Sequence, residues 1–111
     1  MNTPDWVAPA FLDALPPDVR LQMLRLYRDG LRDQAGRLEP VLESVGALQA
    51  AASIAHKIAG SAGMMQDQAL AQAARQLEDR LREGAPEAHG QVQDLLELVR
   101  RTLGAIERAI G

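Results

Sequence analysis

The chain of 111 residues contains no cysteine, and aromatic residues make up only 3% of it. Without cysteine it can form neither a disulfide bond nor a thiolate metal site, which fits a reducing compartment such as the cytoplasm. The apolar fraction of 47% therefore consists mainly of Leu, Ala, Val, Ile and Met. That mixture favours helices packed on helices over a β-sandwich, so we expect an all-α fold.

Long apolar runs and an excess of positive charge are also missing. No run approaches the roughly 20 residues that a membrane-spanning helix needs. The first segment, MNTPDWVAPAFLDALPPD, is acidic and interrupted by prolines, so no signal peptide is read in it. A formal net charge of −3 provides no basic surface for phosphate contacts, so nucleic-acid binding is not expected. Residues 1–111 are predicted to form one cytoplasmic, monomeric domain without membrane insertion.

Apolar residues recur at three- and four-residue spacings in four segments, which predicts four amphipathic helices. The first begins near Asp18, with Val19 on its apolar face, and Pro40 should end or kink it. The second runs from about Ala47 to Met65, and Asp67 is placed at the N-cap of the third.

The third helix should end at Gly84 and Pro86, and the fourth has the strongest apolar periodicity. Its apolar positions are Val92, Leu95, Leu96, Val99, Leu103, Ile106 and Ile110. Short links between four helices predict an up-down four-helix bundle. A short additional N-terminal helix, which carries Trp6, Val7, Phe11, Leu12 and Leu15, is expected to cap one end of the core.

The second helix has an unusual outer face. On a helical wheel its larger apolar residues share one side, which must face the core, and His56 lies about 140° from the centre of that side. The residues predicted beside His56 on the outer face are Gln49, Ala52, Ser53, Gly60 and Gly63. Between Ser44 and Gln66 the only charged residue is Lys57, whereas the other predicted helices carry charges throughout.

The two glycines of this outer face allow two interpretations. Each weakens the helix by roughly 0.5–1 kcal/mol relative to alanine, which indicates that something approaches the backbone closely. The small residues could instead let helices of the same chain pack tightly, with His56 an incidental polar group. Because both glycines are predicted to point outward, the first interpretation is favoured.

The segment AHKIAGSAG, residues 55–63, resembles the phosphorylation-site helix of histidine phosphotransfer (HPt) domains, the four-helix-bundle carriers of bacterial phosphorelays. The family pattern is His, a basic residue, an aliphatic residue, a variable position, Gly, Ser or Ala and a small residue, and residues 56–62 match it. Leu70, Leu77 and Glu78 fall where the following helix of the family carries its own L and LE. The chain departs from the pattern at Ala59, where lysine is frequent, and at Gln66, where glycine is usual.

The resemblance implies a phosphocarrier with no kinase activity of its own. His56 would accept a phosphoryl group from the aspartyl phosphate of a receiver domain and pass it to another receiver. The partners would be receiver domains of response regulators or a hybrid histidine kinase, and the Mg²⁺ would belong to the receiver, so this chain needs no cofactor or metal. Lys57 would steer the partner and balance charge, and Gly60 would give clearance. Gly63, Ser53, Gln49 and Ala52 would contribute to docking.

Other chemistries receive little support from the sequence. His89 follows a loop, has no small-residue surround and is interpreted as a surface residue. Two histidines without cysteine give no metal-ligand spacing, and no glycine-rich phosphate loop is present. The carboxylates of LEDRLRE and ELVRR are interpreted as solvated ion pairs. The main alternative is a helical adaptor that binds a partner without phosphotransfer; the substrate domain of a chemotaxis-type kinase ranks below it.

Overall fold

The computed structural model describes residues 5–43, 48–84 and 88–111. Four α-helices follow one another: α1 (Pro17–Leu38), α2 (Leu48–Met64), α3 (Gln68–Arg82) and α4 (Ala88–Ile110). A 3₁₀ helix, Ala10–Ala14, precedes α1, and a second, Glu39–Glu43, follows it. No strand occurs in these ranges. The prediction of an all-α four-helix bundle is confirmed.

Each α-helix packs against two others, so the bundle closes as a ring. Helix α2 lies between α1 and α3, and α4 completes the circuit by packing on α3 and α1. Leucines supply most of the largest fully buried side chains, among them Leu24, Leu31, Leu70 and Leu96. The outer surface of α2, which faces away from this core, is therefore open to a partner.

The boundaries of α1 follow its prolines. The helix begins with Pro17 in its first turn, where the absent N–H group costs nothing because it would have no helical partner. Its α-helical pattern ends at Leu38, two residues before Pro40, and the chain continues as the second 3₁₀ helix. Two predicted boundary features, the start of the second helix at about Ala47 and Pro86 after the third, fall on residues 44–47 and 85–87 and lie outside the described residues.

The turn between α2 and α3 is a Schellman motif. The amide of Asp67 donates to the carbonyl of Ala62 at 2.8 Å, and the amide of Gln66 donates to the carbonyl of Gly63 at 3.2 Å. Gln66 has a φ of 55°, the left-handed conformation that this motif requires. The predicted N-cap at Asp67 is confirmed, since its carboxylate accepts from the amide of Leu70.

The carboxylate of Asp67 also ties this turn to two helices. It is buried, and its Oδ2 accepts hydrogen bonds from the hydroxyl of Tyr27 in α1 at 2.9 Å and from that of Thr102 in α4 at 3.0 Å. Burial, followed by the charge of Asp67, raises the pKa of Tyr27 far above its usual range. Trp6 packs edge-on against Tyr27, and its Nε1 donates to the carbonyl of Met65 at 2.9 Å. We call these five residues the Asp67 node.

Two sequence expectations about side-chain placement need correction. In the N-terminal segment Trp6 and Leu12 are buried, but Val7 and Phe11 are exposed because only a five-residue 3₁₀ helix forms there. In α1, Val19 is exposed rather than on the core face. That face begins at Leu24, and a separation of five residues places Val19 about 140° away from Leu24 around the helix.

Candidate functional site

Helix α2 buries one side and presents His56 on the other. Its buried side consists of alanine and isoleucine, with Ile54, Ala55 and Ile58 around the histidine in sequence. The side chain of His56 is 72% exposed. An imidazole in this position is held by the rigid helix beneath it and is accessible to a second molecule.

The ring of His56 is oriented by a carboxylate from α3. Its Nδ1 lies 3.2 Å from Oε1 and 3.1 Å from Oε2 of Glu78. The Glu78 side chain is only 13% exposed, and Arg82, one turn later, donates to its Oε2 from Nη2 at 2.7 Å and from Nε at 3.2 Å. His56, Glu78 and Arg82 therefore form a chain of hydrogen bonds across the α2–α3 groove.

The charge of Glu78 decides which nitrogen of His56 is free. The hydrogen bond from Arg82 is the main cause that lowers the pKa of Glu78, partial burial opposes it, and the hydrogen bond with His56 lowers it further. Glu78 is therefore a carboxylate near neutral pH and can only accept, so Nδ1 of His56 carries a proton and donates. In the neutral ring the lone pair then resides on Nε2, the nitrogen that makes no contact with Glu78.

A recess opens beside His56 between α2 and α3. Its lining residues are His56, Ala59, Gly60, Arg75, Glu78 and Asp79. A Cβ atom at Gly60 would meet no other group within 4 Å, so the glycine leaves free space in front of the helix. A Cβ atom at Gly63 would lie 3.5 Å from Nη2 of Arg75, an ordinary contact distance. Gly60 is not needed for packing inside the bundle.

Six of the seven predicted site residues lie on the exposed side of α2: His56, Lys57, Gly60, Gly63, Ser53 and Gln49. Ala52 is the exception, because it is buried. Helix α2 is flanked by both α1 and α3, so its buried arc is wider than a wheel with one core side predicts, and Ala52 and Ala59 fall inside that arc. The prediction that Ala52 lies on the outer face of α2 is therefore wrong.

Lys57 lies apart from the recess of His56. It is exposed and lines a separate groove toward α1, together with Gln34, Arg37 and Ser53. Lys57 makes no hydrogen bond or ion pair with any residue that the structure describes. Its ammonium group is thus available to a partner, on the opposite side of His56 from Glu78.

The sequence pattern matches Glu78 to the family but does not indicate its contact with His56, and it gives no role to Arg75 or Arg82. Arg75, Glu78 and Arg82 are spaced at i, i+3 and i+7, which places them on one side of α3 toward α2. Such a polar stripe facing a helix of small residues is a readable signal, but LEDRLRE was interpreted only as solvated ion pairs. Leu26 and Met64, 65% and 78% exposed, border the outer face on the α1 side and were also missed.

The second histidine has a structural contact. His89 is exposed at the start of α4, as predicted, and its Nε2 donates to the carbonyl of Leu42 at 2.8 Å. It thereby joins α4 to the second 3₁₀ helix. Among the described residues no group of three or more His, Asp or Glu side chains could hold a metal ion. No helix in the described ranges is long and apolar enough to cross a membrane.

Comparison with known proteins gives one match. The family model described as Hpt domain matches residues 22–109, a range that contains α2 and α3 completely and therefore His56, Glu78 and Arg82. Neither the curated proteins nor the solved structures that were searched yielded a match.

Proposed function

The chain belongs to the Hpt domain family, and from this we propose that His56 accepts a phosphoryl group from the aspartyl phosphate of a receiver domain and passes it to another receiver. The family consists of histidine phosphocarriers of phosphorelays, not of kinases. The observation that carries the assignment to His56 is its exposed Nε2, left free by the hydrogen bond between Nδ1 and Glu78.

The proposed transfer follows from the protonation of the His56 ring. The lone pair of Nε2 attacks phosphorus, an N–P bond forms, and the P–O bond to the receiver aspartate breaks, with its electron pair leaving on the carboxylate. Since Nδ1 keeps its proton, the ring gains positive charge as the bond forms. The carboxylate of Glu78, 3.1 Å from Nδ1, stabilises that charge without having to move. Arg82 keeps Glu78 ionised.

The surface around His56 supports docking of a folded partner. Gly60 leaves space for an aspartyl phosphate to approach the imidazole in line, which is the main requirement of phosphoryl transfer. Gln49, Ser53 and Gly63 extend the small, uncharged part of this face. Leu26 and Met64 provide exposed apolar area at its edge. The Mg²⁺ that receiver domains use would be held by the partner.

Lys57 is proposed to steer the partner rather than to touch the phosphoryl group. A receiver site that holds Mg²⁺ and an aspartyl phosphate is rich in carboxylates. The ammonium group of Lys57, which has no partner among the described residues, attracts such a site at long range. Such steering weakens as salt increases, because the screening length is about 10 Å at 0.1 M ionic strength.

The experiment that tests the proposal compares His56→Gln with the matched control His89→Gln. Each chain is incubated with a phosphorylated receiver and Mg²⁺, and acid-labile label is measured. We expect the parent and His89→Gln to be labelled and His56→Gln to take no label with an unchanged melting temperature, since the exposed His56 makes no core contact.

Label that persists in His56→Gln, or that moves to His89, would refute the assignment. A parent that binds receivers without accepting phosphate would favour the helical adaptor instead.

A further inference from the structure

Arg75 is a cation of the His56 recess with no partner among the described residues. It lies in the middle of α3, is exposed, and forms neither a hydrogen bond nor an ion pair within the described part of the chain. Most other arginines are paired; Arg82, on the same helix, is bound to Glu78. A guanidinium that lines the same recess as His56 and has no carboxylate partner among the described residues is available for an anion.

Phosphorylation of His56 would add negative charge to a recess that already contains more carboxylates than cations, so a guanidinium such as that of Arg75 is needed to compensate it. Three charged side chains line the recess beside His56, namely Arg75, Glu78 and Asp79, so two of the three are carboxylates. A phosphoryl group adds about 1.5 to 2 negative charges at neutral pH. Glu78 faces Nδ1 and is neutralised by Arg82, but neither of them balances the phosphoryl group on Nε2.

The position of Arg75 suits this task better than that of Lys57. Lys57 follows His56 directly, so its side chain leaves α2 about 100° away around the helix, and it lines the groove toward α1. Arg75 approaches from α3 and lines the recess of His56 itself. Ala59, one turn after His56, brings no charge to this recess.

Gly63 lets the guanidinium lie against α2. Nη2 of Arg75 is 3.5 Å from the place that a Cβ atom of residue 63 would occupy, so a long side chain there would displace it. The planar guanidinium can donate two parallel hydrogen bonds to phosphate oxygens, which an ammonium group cannot. In this position the guanidinium lies about two turns of α2, roughly 10 Å along the axis, from His56, so it must swing along the recess to reach a phosphoryl group on Nε2.

We propose that Arg75 is the residue that binds the phosphoryl group on Nε2 of His56. This inference rests on the function proposed above and adds to it a residue from α3. Because Arg75 has no partner among the described residues, its guanidinium is available to the phosphorylated state.

The test uses phosphoramidate as the phosphoryl donor, so that no protein partner is present and steering by Lys57 does not matter. Nε2 attacks the phosphorus of phosphoramidate, the N–P bond of the donor breaks, and the amide leaves as ammonia after taking up a proton. The variants are Arg75→Gln and Arg75→Lys, and the control is Arg80→Gln, which removes the same charge from another position of α3. Rates of labelling and ³¹P resonances are recorded on the complete chain.

We expect Arg75→Gln to be labelled roughly 3- to 10-fold more slowly, which corresponds to the loss of one charge-assisted hydrogen bond at an exposed site. The phosphoryl group should titrate about 0.3 to 1 pH unit higher, since a nearby positive charge no longer favours the dianion. Arg75→Lys should recover part of the labelling rate and part of the titration midpoint, and the control Arg80→Gln should match the parent.

Equal rates and equal titration midpoints in Arg75→Gln and the parent would overturn the inference. A shift of the same size in Arg80→Gln would overturn it too, because net charge alone would then explain the effect. These results leave the proposed function intact. A parent that takes no label at His56 from a phosphorylated receiver or from phosphoramidate contradicts the function itself, and the role of Arg75 falls with it.

Discussion

Two carboxylates, Asp67 and Glu78, differ in their burial and in the groups that donate hydrogen bonds to them. Asp67 is 4% exposed, and its donors, two hydroxyls and a backbone amide, belong to the fold itself. Glu78 accepts from Arg82 and from an imidazole that is 72% exposed. The first carboxylate holds elements together, and the second orients a ring whose other nitrogen stays free. The same chemical group thus serves stability at one site and reactivity at the other.

The backbone around the two carboxylates shows the same contrast. At the Asp67 node the chain is closed by two turn hydrogen bonds and capped by a side chain. On the face that carries His56, α2 exposes glycine in mid-helix, and Lys57 of α2 and Arg75 of α3 have no partner among the described residues. The region that contributes least to folding is therefore the one that is available to a second molecule. Substitutions at the two regions should separate stability from transfer.

The largest effect on stability is expected from Asp67→Ala. The change removes the N-cap of α3 and leaves the buried hydroxyls of Tyr27 and Thr102 without an acceptor, which together should cost about 3 kcal/mol of unfolding free energy. Below its melting temperature the variant should still accept phosphate on His56. Chemical denaturation and a labelling assay measure the two effects.

Thr102→Val is the matched control for Asp67→Ala, because it removes one of these hydrogen bonds and keeps the volume and the cap. It should cost about 1 kcal/mol. If Asp67→Ala were no more destabilising than Thr102→Val, the Asp67 node would not be a unit. Loss of phosphate acceptance in a folded Asp67→Ala chain would break the separation between the two regions.

Glu78→Gln is expected to act mainly on transfer, with a smaller effect on stability. The amide has nearly the same size but no charge with which to stabilise the imidazolium, so transfer should slow by roughly 10- to 100-fold, as for other changes in groups that orient a reactive ligand. Asp79→Asn, which neutralises the neighbouring carboxylate of the same recess, is the matched control and should transfer at nearly the parent rate. Equal rates in both variants would remove Glu78 from the mechanism.

The acid dependence of Glu78 gives a second measurement on the same variant. Its folded-state pKa is lowered, so its contacts contribute stability that is fully present above the usual carboxyl range and is lost as the pH falls through the lowered pKa. Glu78→Gln should therefore reduce the loss of stability on acidification below about pH 4.5, the ordinary value for this group. Identical acid unfolding of the variant and the parent would contradict the assigned cause.

Most of the fold could be predicted from the sequence, because the helices show apolar residues at three- and four-residue spacings and have proline, glycine or capping residues near their ends. Asp67 was found as an N-cap since a capping residue acts on its own next turn. The donors to its second oxygen, Tyr27 and Thr102, come from α1 and α4, and no local pattern records such distant contacts. The absence of tertiary contacts from a local pattern also explains the wrong placement of Ala52. A helical wheel describes one helix alone, whereas both α1 and α3 cover α2.

The sequence predicts His56 as the phosphoryl acceptor, but it does not predict which residues of α3 orient its ring or line its recess. His56 was recognised because the small residues around it lie on its own helix. The roles of Glu78 and Arg75 depend on how α3 lies across α2, which becomes visible only when the two helices are placed together. A reactive residue is thus easier to read from sequence than the residues that prepare it.

A smaller effect, of the opposite sign, is expected at Gln66. The residue has a φ of 55° at the position of the Schellman motif where glycine is the usual occupant. Gln66→Gly should relieve the strain of the left-handed conformation and so raise the free energy of unfolding by about 1 kcal/mol. The greater entropy of glycine in the unfolded chain should offset part of this gain. Thermal melts test this, with the exposed Gln72→Gly in α3 as a control that should destabilise. A lower melting temperature for Gln66→Gly would show that its side chain outweighs the strain.

The smallest effect on stability is expected at Gly60, but there stability and transfer should move in opposite directions. A Cβ atom at Gly60 meets nothing within 4 Å, so Gly60→Ala should stabilise the free domain by roughly 0.5–1 kcal/mol through better helix propensity and a less flexible unfolded chain. Gly60→Gln should stabilise it less and should obstruct the receiver, so that transfer from a phosphorylated partner falls sharply. Gly90→Gln in α4, which also points into open space, should leave transfer unchanged.

If both Gly60 variants melted below the parent, the glycine would be needed for packing. If Gly60→Gln transferred at the parent rate, clearance would have no role. Either result would remove the contrast between a face kept open for a partner and a node closed for the fold.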